Sequence, residues 1–440
     1  MKRGFIVFLI VTSLAAGMSV KGQGTPSSLS LTVNEAVQYA LKNNRSVTSA
    51  RYDLMASEKG VWEALAAGLP SIDGSASLGN NLAIMTRIID MNGVKTAFKF
   101  GTNFDMSYGV TASTLVFNAP WLVGVQMAKL ASTLANNGLV QTEIETRESV
   151  ITAYYLILIS GETIKVIDAN LINMNEILTS TKAMYSVGMA EATDVDQMQS
   201  SVTMLNNTRT SMERSLQINY NMIRFLLGVG RDTEVILTES LDKIIGGIKI
   251  ESLLAEEFNM EENVNYQLIN NQLMMSELSL KGAKASVLPS LAASIYYNKN
   301  GMGDKLSELQ WFPNSVVGLS LQVPIFGSGT RYTKIKKAQI NLEKAQNTKA
   351  MVSDQLLMQE KQLRYNLLSA NEQYKAQKDN IEIADRVLKS YQNKYNVGMA
   401  SSLDLTQANN NYLTAQNNYL SALMNLLQNK VAFDKLMNNL

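Results

Sequence analysis

Residues 185–197 read YSVGMAEATDVDQ and residues 395–407 read YNVGMASSLDLTQ. Both fit Y-x-x-G-M-A-x-x-x-D-x-x-Q at an offset of 210 residues, which matches Tyr185 to Tyr395, Gly188 to Gly398, Asp194 to Asp404 and Gln197 to Gln407. A long helical pattern precedes each copy and a shorter one follows it. Glycine at such a junction suits a left-handed cap at a helix C-terminus, where a side chain would clash. The aspartate six residues on suits the N-cap of the returning helix, with Gln197 or Gln407 closing a capping box. The phrase therefore predicts a tight helical hairpin, made twice.

Outward from the two copies the correspondence continues. Tyr155 matches Tyr365, Leu158 matches Leu368 and Leu178 matches Leu388, all at 210 residues. Further upstream, Leu69–Pro70–Ser71 is echoed by Leu288–Pro289–Ser290. The period is half the chain, which is an internal duplication and not a solenoid array. The expected division is 1–22 as a signal peptide, 23–245 as the first repeat and 246–440 as the second. Lys2 and Arg3 followed by the apolar run Phe5–Gly17 give the secretory pattern. That run is short for a membrane span, which takes about 20 residues. Cleavage falls near Gly22–Gln23, with Gly17 and an uncleaved anchor as the alternatives.

Composition narrows the function. With 39 basic and 38 acidic residues, no electrostatic footprint for nucleic acid exists. Histidine and cysteine are absent, which removes the commonest general base, thiol chemistry, disulfides, lipoprotein acylation and most transition-metal sites. No catalytic residue, metal or cofactor is expected. Only six prolines in 440 residues argue for long uninterrupted elements.

The first helix is predicted from Leu31, with Thr32 and Glu35 as a capping box, and ends before Leu69–Pro70. The period then changes to two, giving strands over about 70–117 and 289–326. Residues 80–97 read as a loop. From Phe98 to Val116 the apolar residues Phe98, Phe100, Phe104, Tyr108 and Val110 alternate with Lys99, Asp105, Ser107 and Thr111. Such alternation fits a transmembrane strand with lipid on one side and water on the other, the alternative being a half-buried strand of a soluble sheet. Leu291, Ala293, Ile295 and Tyr297 repeat the pattern, as do Val317, Leu319, Leu321, Val323 and Ile325. Helices of nearly 70 residues, roughly 100 Å each, follow to Tyr185 and Tyr395. Residues 229–262 read as a linker.

The expected fold is a mixed membrane β-barrel plus long α-helical barrel, with four strands and six helices per protomer. Four strands cannot close a barrel, since the smallest single-chain membrane barrels use eight. Lipid does not tolerate an open edge, so the chain must share its barrel with copies of itself. The shorter helices tile evenly if they stack end to end, each pair beside one long helix, and closed symmetry then makes a hollow tube.

This succession of signal peptide, L-P-x-[IL] helix ends, paired strands, long helices and two Y-x-x-G-x-x-x-x-x-D hairpins closely resembles the TolC-like outer-membrane efflux channel family. The resemblance covers essentially the whole mature chain. It implies a homotrimer whose twelve strands form one outer-membrane barrel on an α-helical tunnel through the periplasm. It implies, as partners, a periplasmic adaptor protein and an inner-membrane exporter, proton-driven or ATP-driven. It also implies that Tyr185, Gly188, Asp194, Tyr395, Gly398 and Asp404 lie at a periplasmic gate, and that residues 229–262 belong to an equatorial belt. Some members carry an arginine where this chain has Ala400, so Tyr395 hydrogen bonding or apolar contact must take the place of a charged lock. Asp194 and Asp404 are read either as helix caps or as carboxylate rings selecting cations. The different-class readings are a periplasmic coiled-coil adaptor, which gives no reason for two hairpins, and a secreted enzyme.

Overall fold

The computed structural model describes residues 28–91 and 93–440; the expected signal peptide lies outside them. The chain opens with β1 (Ser28–Leu31), α1 (Val33–Asn43), α2 (Arg45–Ala66), β2 (Ser71–Asn80), β3 (Thr86–Met91), β4 (Val94–Lys99) and β5 (Phe104–Phe117). The first long helix is α3 (Ala119–Ser186), with α4 (Ala192–Leu227) returning beside it. A connecting segment carries β6 (Glu234–Leu237), α5 (Leu241–Gly246) and α6 (Ile250–Leu254). The rest comprises α7 (Val264–Ala285), β7 (Ser290–Gly303), β8 (Gln310–Gln322), α8 (Thr330–Asn396) and α9 (Ser402–Leu436).

One antiparallel sheet holds β2, β5, β7 and β8 in that order. Its register aligns Ile72, Ala112, Ile295 and Val317 in one row across the four strands. Five rows along, Ser77, Ser107, Asn300 and Phe312 are aligned on the other face. Because side chains alternate along a strand, the first face collects Ile72, Leu78, Val110, Tyr297, Leu319 and Leu321. The second collects Ser71, Asp73, Ser75, Thr111, Ser113, Asn298 and Asn314. Hydroxyls on that second face bond across strands, Ser77 to Ser107 at 2.8 Å and Ser71 to Ser113 at 3.2 Å. Among the described residues nothing covers the apolar face; Val317, for example, is 78% exposed. Towards the end of the sheet remote from the helices, the Tyr108 and Trp311 rings lie 5.2 Å apart. Gly301 sits under Trp311, where a Cβ would come within 3.1 Å of the indole.

The strands differ from the sequence reading in three places. The stretch 80–97 is not a loop throughout, since β3 and β4 pair as a separate two-stranded hairpin. The strand expected from Phe98 starts at Phe104, because Gly101 takes φ +125° and the Asn81 side chain occupies the Thr102 carbonyl. Phe98 and Phe100 therefore leave the large sheet. At the far edge, β8 stops at Gln322 and excludes Val323 and Ile325, as Pro324 has no N–H for the ladder.

The first helix also differs. It breaks at Asn44, where φ −63° and ψ 132° interrupt the helical backbone. The Asn44 Oδ1 accepts from Ser46 N (2.8 Å) and Val47 N (3.3 Å), capping α2, while its Nδ2 donates to Leu226 O near the end of α4 at 2.8 Å. Asn263 repeats this at the start of α7. Its Oδ1 accepts from Asn265 N (3.0 Å) and Tyr266 N (3.4 Å), and its Nδ2 donates to Leu436 O of α9 at 3.1 Å. One amide thus satisfies orphan donors of one helix and an orphan acceptor of the next. The consequence is a 36-residue and a 22-residue helix joined end to end alongside the 68-residue α3, and a 35- and a 22-residue pair alongside the 67-residue α8.

The main core lies at these joints. Val150, Tyr154, Ile157, Leu367, Leu423, Leu427 and Phe433 form one buried cluster. Residues 229–262, read as a linker, wrap it and are anchored twice. The buried Tyr154 hydroxyl donates to Leu31 O (3.0 Å) and accepts from Glu239 N (3.2 Å), beside the parallel β1–β6 pair. At the matching position of α8, the Arg364 guanidinium donates to Leu254 O and to Glu256 O. The most apolar 18-residue window of α3 has mean hydropathy 1.5 and is half buried in the protein. Asn44→Ala or Asn263→Ala removes a cap and a bond between helices, and should cost about 1–2 kcal/mol each. Chemical denaturation followed by helical circular dichroism checks this; an unchanged midpoint in both variants would refute the joint's role.

Candidate functional site

Both hairpin turns end their long helices in the same way. At the end of α3, Met189 N donates to Met184 O (2.8 Å) and Gly188 N to Tyr185 O (3.0 Å), with Gly188 at φ +78°. At the end of α8, Met399 N donates to Lys394 O (2.7 Å) and Gly398 N to Tyr395 O (3.0 Å), with Gly398 at φ +73°. This is the Schellman pair of bonds. Nothing lies within 4 Å of a Cβ built on either glycine, so an alanine there would meet only the backbone penalty of a left-handed residue.

The aspartates hold a different position from the one the sequence suggested. The N-caps are Glu191 and Ser401, and Asp194 and Asp404 stand three residues into their helices. Asp194 Oδ2 accepts from Glu191 N at 3.0 Å. Asp404 Oδ2 accepts from Ser401 N (3.1 Å) and Ser401 Oγ (2.7 Å), and Asp404 N donates back to Ser401 Oγ at 3.1 Å. Gln197 and Gln407 take no part; the Gln407 amide bonds Asn411 instead. The registers differ because E-x-x-D and S-x-x-D satisfy the box three residues earlier than D-x-x-Q would.

The structure brings the two turns together through unlike partners. Tyr395 is buried at 6% exposure, and its hydroxyl lies 2.6 Å from Thr181 Oγ1 of α3. Its counterpart Tyr185 is 51% exposed. Ser402 Oγ donates to Asp194 Oδ1 across the two turns. Ala400 packs beside Leu388, Tyr395 and Leu405, so this tie has no charged pair at that position. Each turn presents the same Val-Gly-Met, with Val187, Met189, Val397 and Met399 all between 68% and 79% exposed. Thr181 and Ser402 were not singled out in the sequence. A difference between the copies was the available signal, since the residues 210 positions from them are Tyr391 and Ala192.

The electrostatics follow these bonds. The Ser402 hydroxyl and then the Glu191 amide hold the Asp194 carboxyl below its ordinary 3.8. The Ser401 hydroxyl and amide lower Asp404 likewise. Both oxygens of Asp194 are engaged, whereas only Oδ2 of Asp404 is. Among the described residues no cluster of three or more acidic, histidine or cysteine side chains is placed to hold a metal ion.

A sheet with one bare apolar face, set on paired helices of roughly 100 Å, is the architecture of an outer-membrane channel protein. The family model for "Outer membrane efflux protein" matches residues 36–229 and 272–439. The chain belongs to that family. The antibiotic efflux pump outer membrane protein ArpC and the toluene efflux pump outer membrane protein TtgC, both of Pseudomonas putida, are each 23% identical over 295 residues. Those matches span 62% of this chain and 56% of each relative, so just over half the length of these relatives is matched. Among solved structures, VceC of Vibrio cholerae superposes with TM-score 0.73 at 15% identity, covering 92% of this chain and 95% of that one. The open state of the Neisseria gonorrhoeae MtrE channel gives TM-score 0.73 at 15% identity, covering 92% and 88%.

A lowered carboxylate pKa stabilises the folded state above its unfolded value, and that contribution is lost as pH falls through the folded value. The tie between the turns should therefore hold at neutral pH and loosen below 3.8. The cysteine-free chain allows clean labelling at Met189→Cys and Met399→Cys. Electron-spin distance measurements should give one narrow distribution at pH 7 that broadens below that value, and Asp194→Asn should abolish the transition.

Proposed function

We infer that the chain works in the outer membrane as an efflux channel, with its helical part extending into the periplasm, a reading that its family membership supports. We propose that three chains close one twelve-stranded barrel and one helical tunnel. Each would contribute two duplicated halves, 23–245 and 246–440, to the ring. The observation that carries this reading is the sheet itself, whose apolar face lacks cover and whose other face is lined by hydroxyls and amides. Among the described residues its two edge strands, β2 and β8, have no further partner. In lipid those edges require strands from other copies.

The two turns form the periplasmic gate in this reading, with Tyr185, Gly188, Asp194, Tyr395, Gly398 and Asp404 at its six-hairpin rim. Within a chain the hairpins are tied by Tyr395–Thr181 and Ser402–Asp194. At the seam between chains the matching positions are Tyr185 against Tyr391 and Ala192 against Asp404, and Ala192 has no hydroxyl to offer. The apolar Val-Gly-Met tips suit the apolar end of a periplasmic adaptor hairpin, through which an inner-membrane exporter, proton-driven or ATP-driven, would deliver cargo. Drugs, small toxic molecules or polypeptides would then pass through the same conduit, with selection made by the exporter. The toluene and antibiotic efflux named for the relatives favours small molecules.

Fractionation tests the assembly: a heat-modifiable trimer in the outer membrane is expected, and a soluble monomer would refute it. In planar bilayers, Tyr395→Phe combined with Ser402→Ala should raise conductance several-fold by freeing the turns from each other. Asp194→Asn with Asp404→Asn separates the capping-box bond from ion selection, because an asparagine Oδ1 still accepts from the Glu191 or Ser401 amide. Both Asp194 oxygens are engaged, one by the capping box and one by Ser402, which favours a structural role there, so cation preference should fall only as far as Asp404 contributes.

A further inference from the structure

The β3–β4 hairpin has no counterpart in the second half, where β7 and β8 are joined by residues 304–309. It rises from the end of the sheet remote from the helices, beyond the Tyr108–Trp311 pair. Its base is fixed: Asn81 Nδ2 donates to Thr102 O (3.0 Å) and Asp105 Oδ2 (2.6 Å), and Asn103 N donates to Asp304 Oδ1 (3.3 Å). Among the described residues the hairpin pairs only with itself. A lone two-stranded ribbon is marginal in water and needs something to rest on.

Its chemistry says what that is. Arg87, Lys95 and Lys99 are exposed, and none forms an ion pair among the described residues. The single carboxylate, Asp90, is turned to the Gly93 amide at 2.9 Å. Between the cations stand bare apolar side chains, of which Ile88 is 72% exposed. Arg87 lies 5.9 Å from the centroid of the exposed Phe100 ring. Charged side chains along both strands oppose edge-to-edge pairing with another copy. Unpaired cations interleaved with exposed apolar groups match an anionic amphiphile. The apolar face of the sheet runs up to the same rim and carries Lys299, aligned with Tyr108.

We propose that the β3–β4 hairpin docks on the phosphate-bearing headgroups of the glycolipid leaflet around the outer mouth of the channel, through Arg87, Lys95 and Lys99. The inference rests on the membrane orientation of the sheet. Basic residues near such a surface act additively, so neutralising three should weaken binding about a hundredfold.

The test uses the purified full chain in neutral detergent micelles, titrated with a labelled diphosphorylated glycolipid, phosphatidylglycerol or phosphatidylcholine. The native chain should bind the glycolipid tightest and phosphatidylcholine least, and Arg87→Gln/Lys95→Gln/Lys99→Gln should lose that affinity. Lys334→Gln/Lys336→Gln/Lys337→Gln, at the start of α8, should keep it. Unchanged affinity in the hairpin variant overturns the proposal, as does equal binding of phosphatidylglycerol or phosphatidylcholine by the native chain. A salt titration of the native chain guards against a misfolded variant; affinity insensitive to salt also overturns it. Bilayer conductance keeps the two readings apart, since the hairpin variant should still form channels, and no conductance from the native chain would defeat the channel reading alone.

Discussion

Every backbone amide and carbonyl in a hydrocarbon environment must find a partner within protein, and the described residues of this chain leave two rows of them unpaired. β2 and β8 are the outer strands of a sheet that shows a bare apolar face along its whole length. That single deficit makes a lone chain an incomplete object in a membrane. The helical part likewise has little interior of its own away from the joints. Buried clusters elsewhere along α3 and α8 are small, such as the one joining Leu388, Tyr395, Leu405 and Ala408. Helices so long and thinly packed depend on neighbours for much of their burial.

Within the chain, length is matched by a second device. A single 68-residue helix and two shorter ones cover the same distance because Asn44 and Asn263 convert two helix ends into a joint. Gly228 makes the first joint tight: it takes φ +71°, and a Cβ there would lie 2.3 Å from the Asn43 carbonyl oxygen. The belt of residues 229–262 closes over the joints and is pinned by Tyr154 in one half and Arg364 in the other. Unlike side chains serve the same end there, each offering polar atoms to carbonyl or amide groups of the belt.

Local chemistry was the legible part of the sequence. Gly188 and Gly398 announced left-handed caps, Thr32 and Glu35 announced a capping box that is present at 3.3 Å and 2.8 Å, and the period of two announced amphipathic strands. The break at Asn44 was hidden because apolar residues continue at helical spacing on both sides, and only the distant Leu226 carbonyl gives the side chain its second role. The β3–β4 hairpin carried a sign in its Asn92–Gly93 dipeptide, a common turn of two-residue hairpins. The ties between the turns could not be read locally. Thr181 and Tyr395 are 214 residues apart, and Asp194 and Ser402 are 208 apart.

The end-to-end joints also set a mechanical advantage. The arm from the Asn44 joint to the turn at Gly188 is the length of α4, about 54 Å. Moving the turn sideways by about 5 Å then requires a rotation of only about 5° at the joint. The continuous α3 and α8 can follow by the gentle curvature long helices already show. At a lever of that length a small change of angle at the asparagine joints corresponds to a wide displacement of the turns.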